Sequence, residues 1–405
     1  MTAPRPADPA ELPLATEEIL ISRTDARGII ESGNSVFRRV CGHDWDRLLG
    51  APHKLIRHPD MPAGVYHLFW AELNAGRTVG AYVKNRTADG RHYWVFAVAM
   101  PAPEGFVSIR MKPTSPMLDR IRPLYATLRR RETEEALTPD ASHAALCAAL
   151  GAWGHDSYRA FMACALEAEF TARAEAMGRG LEARVRRGRS LGQAIAAARR
   201  NAAEITRLFE DIRGVPTNIR ILAAQLERGG GPIGVISTNH TTLSEEMLTG
   251  VNDFRAAAEH TGRSIEEGIF RSCALALLQE VADSYLGDAG LPAAIDPPRE
   301  TRLLRDLAAR GQLESDAAMA AIATQAEHFA KVAKGVKRHV AGLDVTRIMC
   351  KIENARLSDT TSGLSEIIDT LEEVQSRIAV QLAEIERASR AILSGTRRGG
   401  HLHVA

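Results

Sequence analysis

The sequence lacks any run of about 18 apolar residues, so no membrane-spanning helix is predicted. It also lacks paired cysteines. Cys41, Cys147, Cys164, Cys273 and Cys350 lie far apart and form no CxxC motif, which predicts reduced thiols in a cytoplasmic protein. Excess charge of either sign is missing: 51 Lys and Arg stand against 50 Asp and Glu, a formal net charge of +1. No global field therefore draws the chain to nucleic acid or to a membrane surface. HExxH, a phosphate-binding glycine loop with Lys, and kinase or cyclase signatures are all absent, so an enzyme is the least supported class. Met1 to Pro13 lacks the apolar core of a signal peptide and reads as a disordered lead-in over residues 1–14.

What is present is an ordinary globular composition, 45% hydrophobic and 25% charged over 405 residues. Its distribution is uneven. Trp45, Trp70 and Trp94 fall early and only Trp153 later, and β-branched and aromatic residues give way near residue 115 to Ala, Arg, Glu and Leu. That shift marks a domain boundary, with a domain over 15–115 and a helical connector over 116–160.

In the first domain, alternation predicts strands at Glu18–Thr24 and Ile29–Ser32 around a turn at Asp25–Gly28. Asn34 can cap a short helix over Ser35–Cys41, and short helical pieces follow at Trp45–Leu49. Pro62 opens a helix over Ala63–Leu73 that Gly76 ends. Strands follow at Val79–Thr87, Arg91–Met100 and Gly105–Lys112, with Asp89-Gly90 as a hairpin signal. The fold class is α+β, a five-stranded antiparallel sheet with short helices.

Three polar clusters stand out: Arg57-His58-Pro59-Asp60-Met61-Pro62, Val83-Lys84-Asn85-Arg86 and His92-Tyr93-Trp94-Val95. Arg57 offers a planar fork of donors suited to phosphate or carboxylate. His58 and Asp60 can bond hydroxyls, and Asn34 and Asn85 each present a donor and an acceptor. Trp70 or Trp94 can wall a flat ring. Plainer roles stand beside these: Arg57 and Asp60 as a structural ion pair, Asn85 as a hairpin brace, Trp94 as core, Lys84 and Arg86 as solvated charges.

These clusters, with Thr24-Asp25, Asn34, Gly42, Leu49-Gly50, Pro52-His53, Gly90 and Ser108-Ile109-Arg110, resemble the PAS sensor of bacterial aerotaxis receptors over about residues 15–128. The resemblance implies FAD as cofactor, with Asn34, Arg57, His58, Asp60, Trp70, Asn85 and Trp94 as its binding residues. One departure is Thr78-Val79-Gly80-Ala81, where the family places Trp-x-Gly. Haem ligated by His53, His58, His67 or His92, and a cofactor-free PAS scaffold acting by protein contacts, are the alternatives.

From Ser142 onward helix is predicted almost throughout, as an all-α antiparallel bundle of long helices. Ser157 caps a run reaching toward Leu226, the run Gly229-Gly230-Gly231-Pro232 turns the chain, and a second helix covers Ile233–Leu286. Residues 161–286 resemble a degenerate chemoreceptor signalling hairpin, carried by Thr217-Asn218-Ile219, Ala224, Leu226-Glu227 and the glycines. A second hairpin is expected over 314–397, since Ile352-Glu353-Asn354-Ala355-Arg356 echoes the same tip. Pro292, Pro297 and Pro298 make 287–313 a connector, and 398–405 is expected to be a disordered tail. The resemblance implies a homodimer or a single-chain bundle, and a chemotaxis coupling protein and histidine kinase, or another signalling protein, as partners. Glu245-Glu246 and Glu266-Glu267 are either methyl-acceptor glutamates or solvated charges.

Overall fold

In the computed structural model, residues 10–212, 214–226, 232–356 and 362–397 are described. The expected lead-in, the glycine turn at 229–231, Glu227 and the tail at 398–405 lie outside them, wholly or in part. The chain divides into two compact units, Met1–Arg186 with Glu266–Asp316, and Arg187–Ile265 with Ala317–Ala405.

The first unit holds a five-stranded antiparallel sheet, as expected. β1 (Ile19–Asp25) and β2 (Ile30–Gly33) meet at a turn in which Asp25 Oδ1 accepts from the Arg27 and Ile29 amides at 2.8 and 2.9 Å. Gly28 there has φ +79°, a conformation that costs a residue with a Cβ about 1–2 kcal/mol. α1 (Ser35–Cys41), α2 (Trp45–Leu48) and α3 (Ala63–Asn74) follow, then β3 (Val79–Arg86), β4 (His92–Ala102) and β5 (Gly105–Met111). The strand order is β2-β1-β5-β4-β3.

Register gives the sheet two distinct faces. Ala97 pairs with Arg110 and Ala99 with Ser108, so these residues share one face with Val83 and Asn85. Tyr82, Lys84, Trp94 and Phe96 share the other. Against that second face lie α4 (Met117–Glu134), whose Tyr125 ring is 6.2 Å from that of Trp94, and α6 (Tyr158–Ala176), whose Tyr158 hydroxyl donates to Gly80 O at 2.9 Å. α5 (Pro139–Ala152) packs on α3.

Two helical boundaries differ from expectation. The run from Ser157 is not continuous: α6 ends at Ala176, and Gly178 then takes φ +64°, which a helix does not accommodate. α7 (Ala183–Asp211) and α8 (Val215–Leu226) continue the run in separate pieces. α9 (Pro232–Tyr285) is as expected, but α10 spans Pro297–Arg356, so residues 297–313 are helix rather than connector. Pro297 and Pro298 sit in the first turn, where a missing N–H leaves no hydrogen bond broken. α11 covers Ser362–Arg397.

The second unit is an antiparallel bundle built from both pairs of long helices. Phe254 of α9 meets Phe329 of α10 with ring centroids 4.6 Å apart, and Gly342 of α10 faces Leu243 of α9. Lys337 and Lys351 of α10 bond Glu386 and Glu372 of α11, and Arg377 of α11 bonds Glu204 of α7. Gly395 of α11 also faces Leu191 of α7, so in each of the three pairs the residue number rises on one helix as it falls on the other, which is the antiparallel arrangement.

Candidate functional site

A cavity of about 390 Å³ lies between α3, the segment at residues 52–57 and the first face of the sheet. Its size falls within the range of small-molecule sites, about 300–1,000 Å³. α3 contributes Val65, Tyr66, Phe69, Trp70 and Leu73, and the sheet contributes Val83, Asn85, Ala97, Ala99, Phe106, Ser108 and Arg110. Trp70 meets Phe106 edge to face with ring centroids 5.5 Å apart. The two alanines leave the floor open where longer side chains would fill it.

Of the residues singled out in the sequence, Arg57, Trp70 and Asn85 line this cavity. Arg57 does not pair with Asp60. Its guanidinium lies 3.6 Å from the centroid of the Tyr66 ring, a cation–π contact, and burial lowers its pKa. Its backbone bridges to Asn85. The Asn85 side chain is buried, and its Nδ2 makes no well-formed hydrogen bond among the described residues, though the residue opposite it on β4 is Tyr93, whose hydroxyl is likewise unsatisfied. An amide donor left so in a cavity wall is normally met by a ligand or water.

Asn34, His58, Asp60 and Trp94 do not line the cavity. Asn34 caps α1 through the Phe37 amide, accepts from Ile21 N at 3.1 Å and donates to Ile19 O at 2.8 Å, which uses its bonding capacity within the fold. Asp60 bonds Lys84 Nζ at 2.6 Å and lies 3.4 Å from His58 Nδ1. Lys84 is thereby paired rather than solvated. Asp60, Lys84 and Trp94 instead line a second, more polar cavity of about 360 Å³ beside Arg122 and Tyr125, on the other side of the sheet. The alternation of β3 and β4 puts Lys84 and Trp94 there.

The lining residues outside the set expected to bind FAD include His53, Tyr66 and Arg110. Arg110 is buried, and burial pulls its pKa down to about 10. It donates to Ser22 Oγ at 3.0 Å and to His53 Nε2 at 2.6 Å, and among the described residues no carboxylate pairs with it. Because a guanidinium only donates, His53 is a neutral ring accepting at Nε2. Burial and then Arg110 hold its pKa well below the usual histidine value. Of the histidines considered as haem ligands, only His53 lines the cavity, and its Nε2 is engaged by Arg110. A polar alternation, Ser108 then Arg110 on a strand otherwise apolar, was the available sequence signal.

The site thus combines an aromatic wall, an unpartnered amide donor and two desolvated guanidiniums. It suits a flat, electron-rich ligand bearing carbonyl or anionic oxygens. The paired glutamates lie elsewhere: Glu246 is exposed and 3.4 Å from His339, and Glu267 bonds Arg271.

The sheet's second face and its β1–β2 edge are tied to helices by buried polar bonds. The Tyr82 hydroxyl donates to Glu169 of α6 at 2.7 Å. The Tyr285 hydroxyl, at the end of α9, donates to Gly33 O at 2.9 Å and lies 2.7 Å from Ser32 Oγ. Trp45 Nε1 donates to Gly290 O at 3.1 Å, and Arg23 forms a bidentate pair with Glu300 of α10.

Residues 30–108 match the family described as PAS fold. The chain is 36% identical over 130 residues to the aerotaxis receptor of Escherichia coli (strain K12), a match covering 31% of this chain and 26% of that protein. It therefore spans about a quarter of that relative's length. Among solved structures, the PAS domain of a protein from Colwellia psychrerythraea covers 23% of this chain and 85% of its own, at 19% identity and a TM-score of 0.21. The α+β domain has the PAS fold, and a largely helical region follows it. No helix among the described residues is long and apolar enough to cross a membrane.

Proposed function

We propose that this chain is a PAS-type redox or oxygen sensor that holds a flavin, FAD, in the α3–sheet cavity and signals through its helices, in aerotaxis or a related pathway. The observation that carries the reading is the unpartnered Asn85 amide in a cavity walled by Trp70 and floored by Ala97 and Ala99. Its donor would suit a carbonyl on the rim of an isoalloxazine ring, and the aromatic wall would suit the ring's face. When bound, a flavin supplies reversible electron transfer; the chain supplies binding and electrostatics. Arg57 and Arg110, desolvated and close by, favour whichever state of the ligand carries more negative charge. A haem reading is disfavoured by the His53–Arg110 bond.

The route outward runs through β3. Asn85 faces the cavity, and Tyr82 faces α6 on the other side of the same strand. A ligand state alters the helices only through differential contacts of this kind. The exposed side chains of Val345, Ile348, Met349 and Ile352, spaced along one face of α10, support a partner docking at that end of the bundle, such as a chemotaxis coupling protein or kinase. A homodimer and a cytoplasmic location belong to the same reading.

The test is a titration of cofactor-stripped protein with FAD, followed by flavin fluorescence. Saturable binding that weakens in Asn85→Ala and Arg57→Ala supports the reading. Failure of the wild-type chain to bind sinks it and leaves the cofactor-free scaffold.

A further inference from the structure

On the side of α3 turned away from the cavity, His67 meets the first turns of α5. Its Nε2 lies 3.6 Å from Asp140 Oδ1, and its ring centroid is 5.9 Å from that of His143. One donor atom from each of the three residues lies within 4.8 Å of the others. Asp140 and His143 are one helical turn apart, so they share a face of α5. Thr138 caps that helix through the Ala141 amide and Pro139 begins it, which fixes the turn that presents both side chains.

The backbone between the two helices is equally fixed. A Cβ at Gly64 would stand 2.5 Å from His143 N and 2.6 Å from Ser142 C, so only glycine permits this approach. The Gly64 amide donates to Glu132 Oε1 at 3.2 Å, and the Ser142 hydroxyl donates to the same oxygen at 2.6 Å. The histidine from α3 and the pair from α5 are thus held together by the packing and not by contacts among their own side chains.

We propose that His67, Asp140 and His143 form a binding site for a divalent cation of the zinc class, clamping α3 to α5. Two imidazoles and one carboxylate are borderline nitrogen and oxygen donors, the set that zinc and its neighbours prefer. Donors bound at about 2.0–2.2 Å in tetrahedral geometry lie about 3.4 Å apart, close to the His67–Asp140 separation. The side chains of His67 and Asp140 are 42% and 86% exposed, which leaves them free to rotate and leaves a coordination position to solvent. α3 carries Tyr66, Phe69 and Trp70 on its cavity side, so a bound ion would stiffen the wall of the ligand site.

The full chain, treated with EDTA and dialysed, is titrated with Co²⁺ as a spectroscopic probe and with Zn²⁺ by calorimetry. One equivalent of Co²⁺ with visible d–d absorption is expected. His67→Ala and His143→Ala should weaken Zn²⁺ binding by at least about tenfold, since losing even an outer-shell partner costs about 10–100-fold. The sequence also carries His401-Leu402-His403, and the His401→Ala/His403→Ala variant should bind as the wild type does. Zn²⁺ should raise the melting temperature of the wild type but not of His67→Ala. No binding by the wild type, unchanged binding in His67→Ala, or loss in the tail variant would each overturn the assignment.

Discussion

The Tyr82 hydroxyl donates to Glu169 Oε1 at 2.7 Å, joining the middle of β3 to a helix that follows the PAS domain. Glu169 is fully buried and also accepts from Ser115 Oγ at 2.6 Å and from the Thr114 and Ser115 amides at 2.6 and 2.9 Å. Four donors on one carboxylate leave little freedom, so a displacement of β3 is felt at α6. Burial and Glu169 raise the Tyr82 phenol far above its ordinary range, so the bond keeps its proton at any physiological pH.

Tyr82→Phe removes that donor without changing shape. It is expected to cost about 1.5–3 kcal/mol, the usual contribution of a hydrogen bond to a charged group. Urea unfolding measures it. An unchanged midpoint would mean that the contact does not hold α6 to the sheet.

Arg23 and Glu300 make a second tie, with side chains only 9% and 8% exposed and an N···O distance of 2.8 Å. Glu300→Ala leaves the buried Arg23 guanidinium with Glu31 alone and should destabilise by less than the about 3–5 kcal/mol of a fully stranded charge, whereas Arg23→Met with Glu300→Leu should come close to neutral. Comparing the unfolding midpoints of the single and double variants separates a required charge pair from a replaceable contact.

Acid should weaken the fold before the carboxylates titrate. Burial lowers the pKa of His240 to about 4 and that of His53 well below the usual value. Each binds a proton in the unfolded chain near pH 6.5 and not in the folded one, so stability is complete above that pH. It falls by about 1.4 kcal/mol per unit per histidine as pH drops toward the folded pKa. Denaturant midpoints at pH 7 and pH 5 should differ, and His240→Leu should reduce the difference. Equal midpoints would contradict the burial argument.

Filling the cavity tests its role apart from any charged residue. Ala99→Leu places a larger side chain on the floor beneath Trp70. Flavin binding should fall by an order of magnitude or more while circular dichroism stays as in the wild type. Retained affinity would place the ligand elsewhere.

Much of the PAS domain was legible because its punctuation is local. Asp89-Gly90, Gly28 and the Asn34 cap each act over a few residues, and the alternation of Val83 to Arg86 tells which side chains share a face. The site was less so. Arg57, Trp70 and Asn85 were legible as polar or aromatic residues at unusual places, but His53 and Arg110 meet only through the β1–β5 pairing and the turn after Pro52. Asn34 carried two readings, and its bonds within the fold use it fully. Pro297 does not announce a helix start, because a proline at a first turn looks the same in sequence as one in a loop. The His67–Asp140–His143 group joins residues that only the packing of α3 on α5 brings together.

The most direct test is the absorption spectrum of the freshly purified chain, recorded oxidised and after dithionite. The account predicts the visible bands of an oxidised flavin, bleached on reduction and weakened in the Asn85→Ala protein. A colourless protein that remains so after incubation with FAD would contradict it.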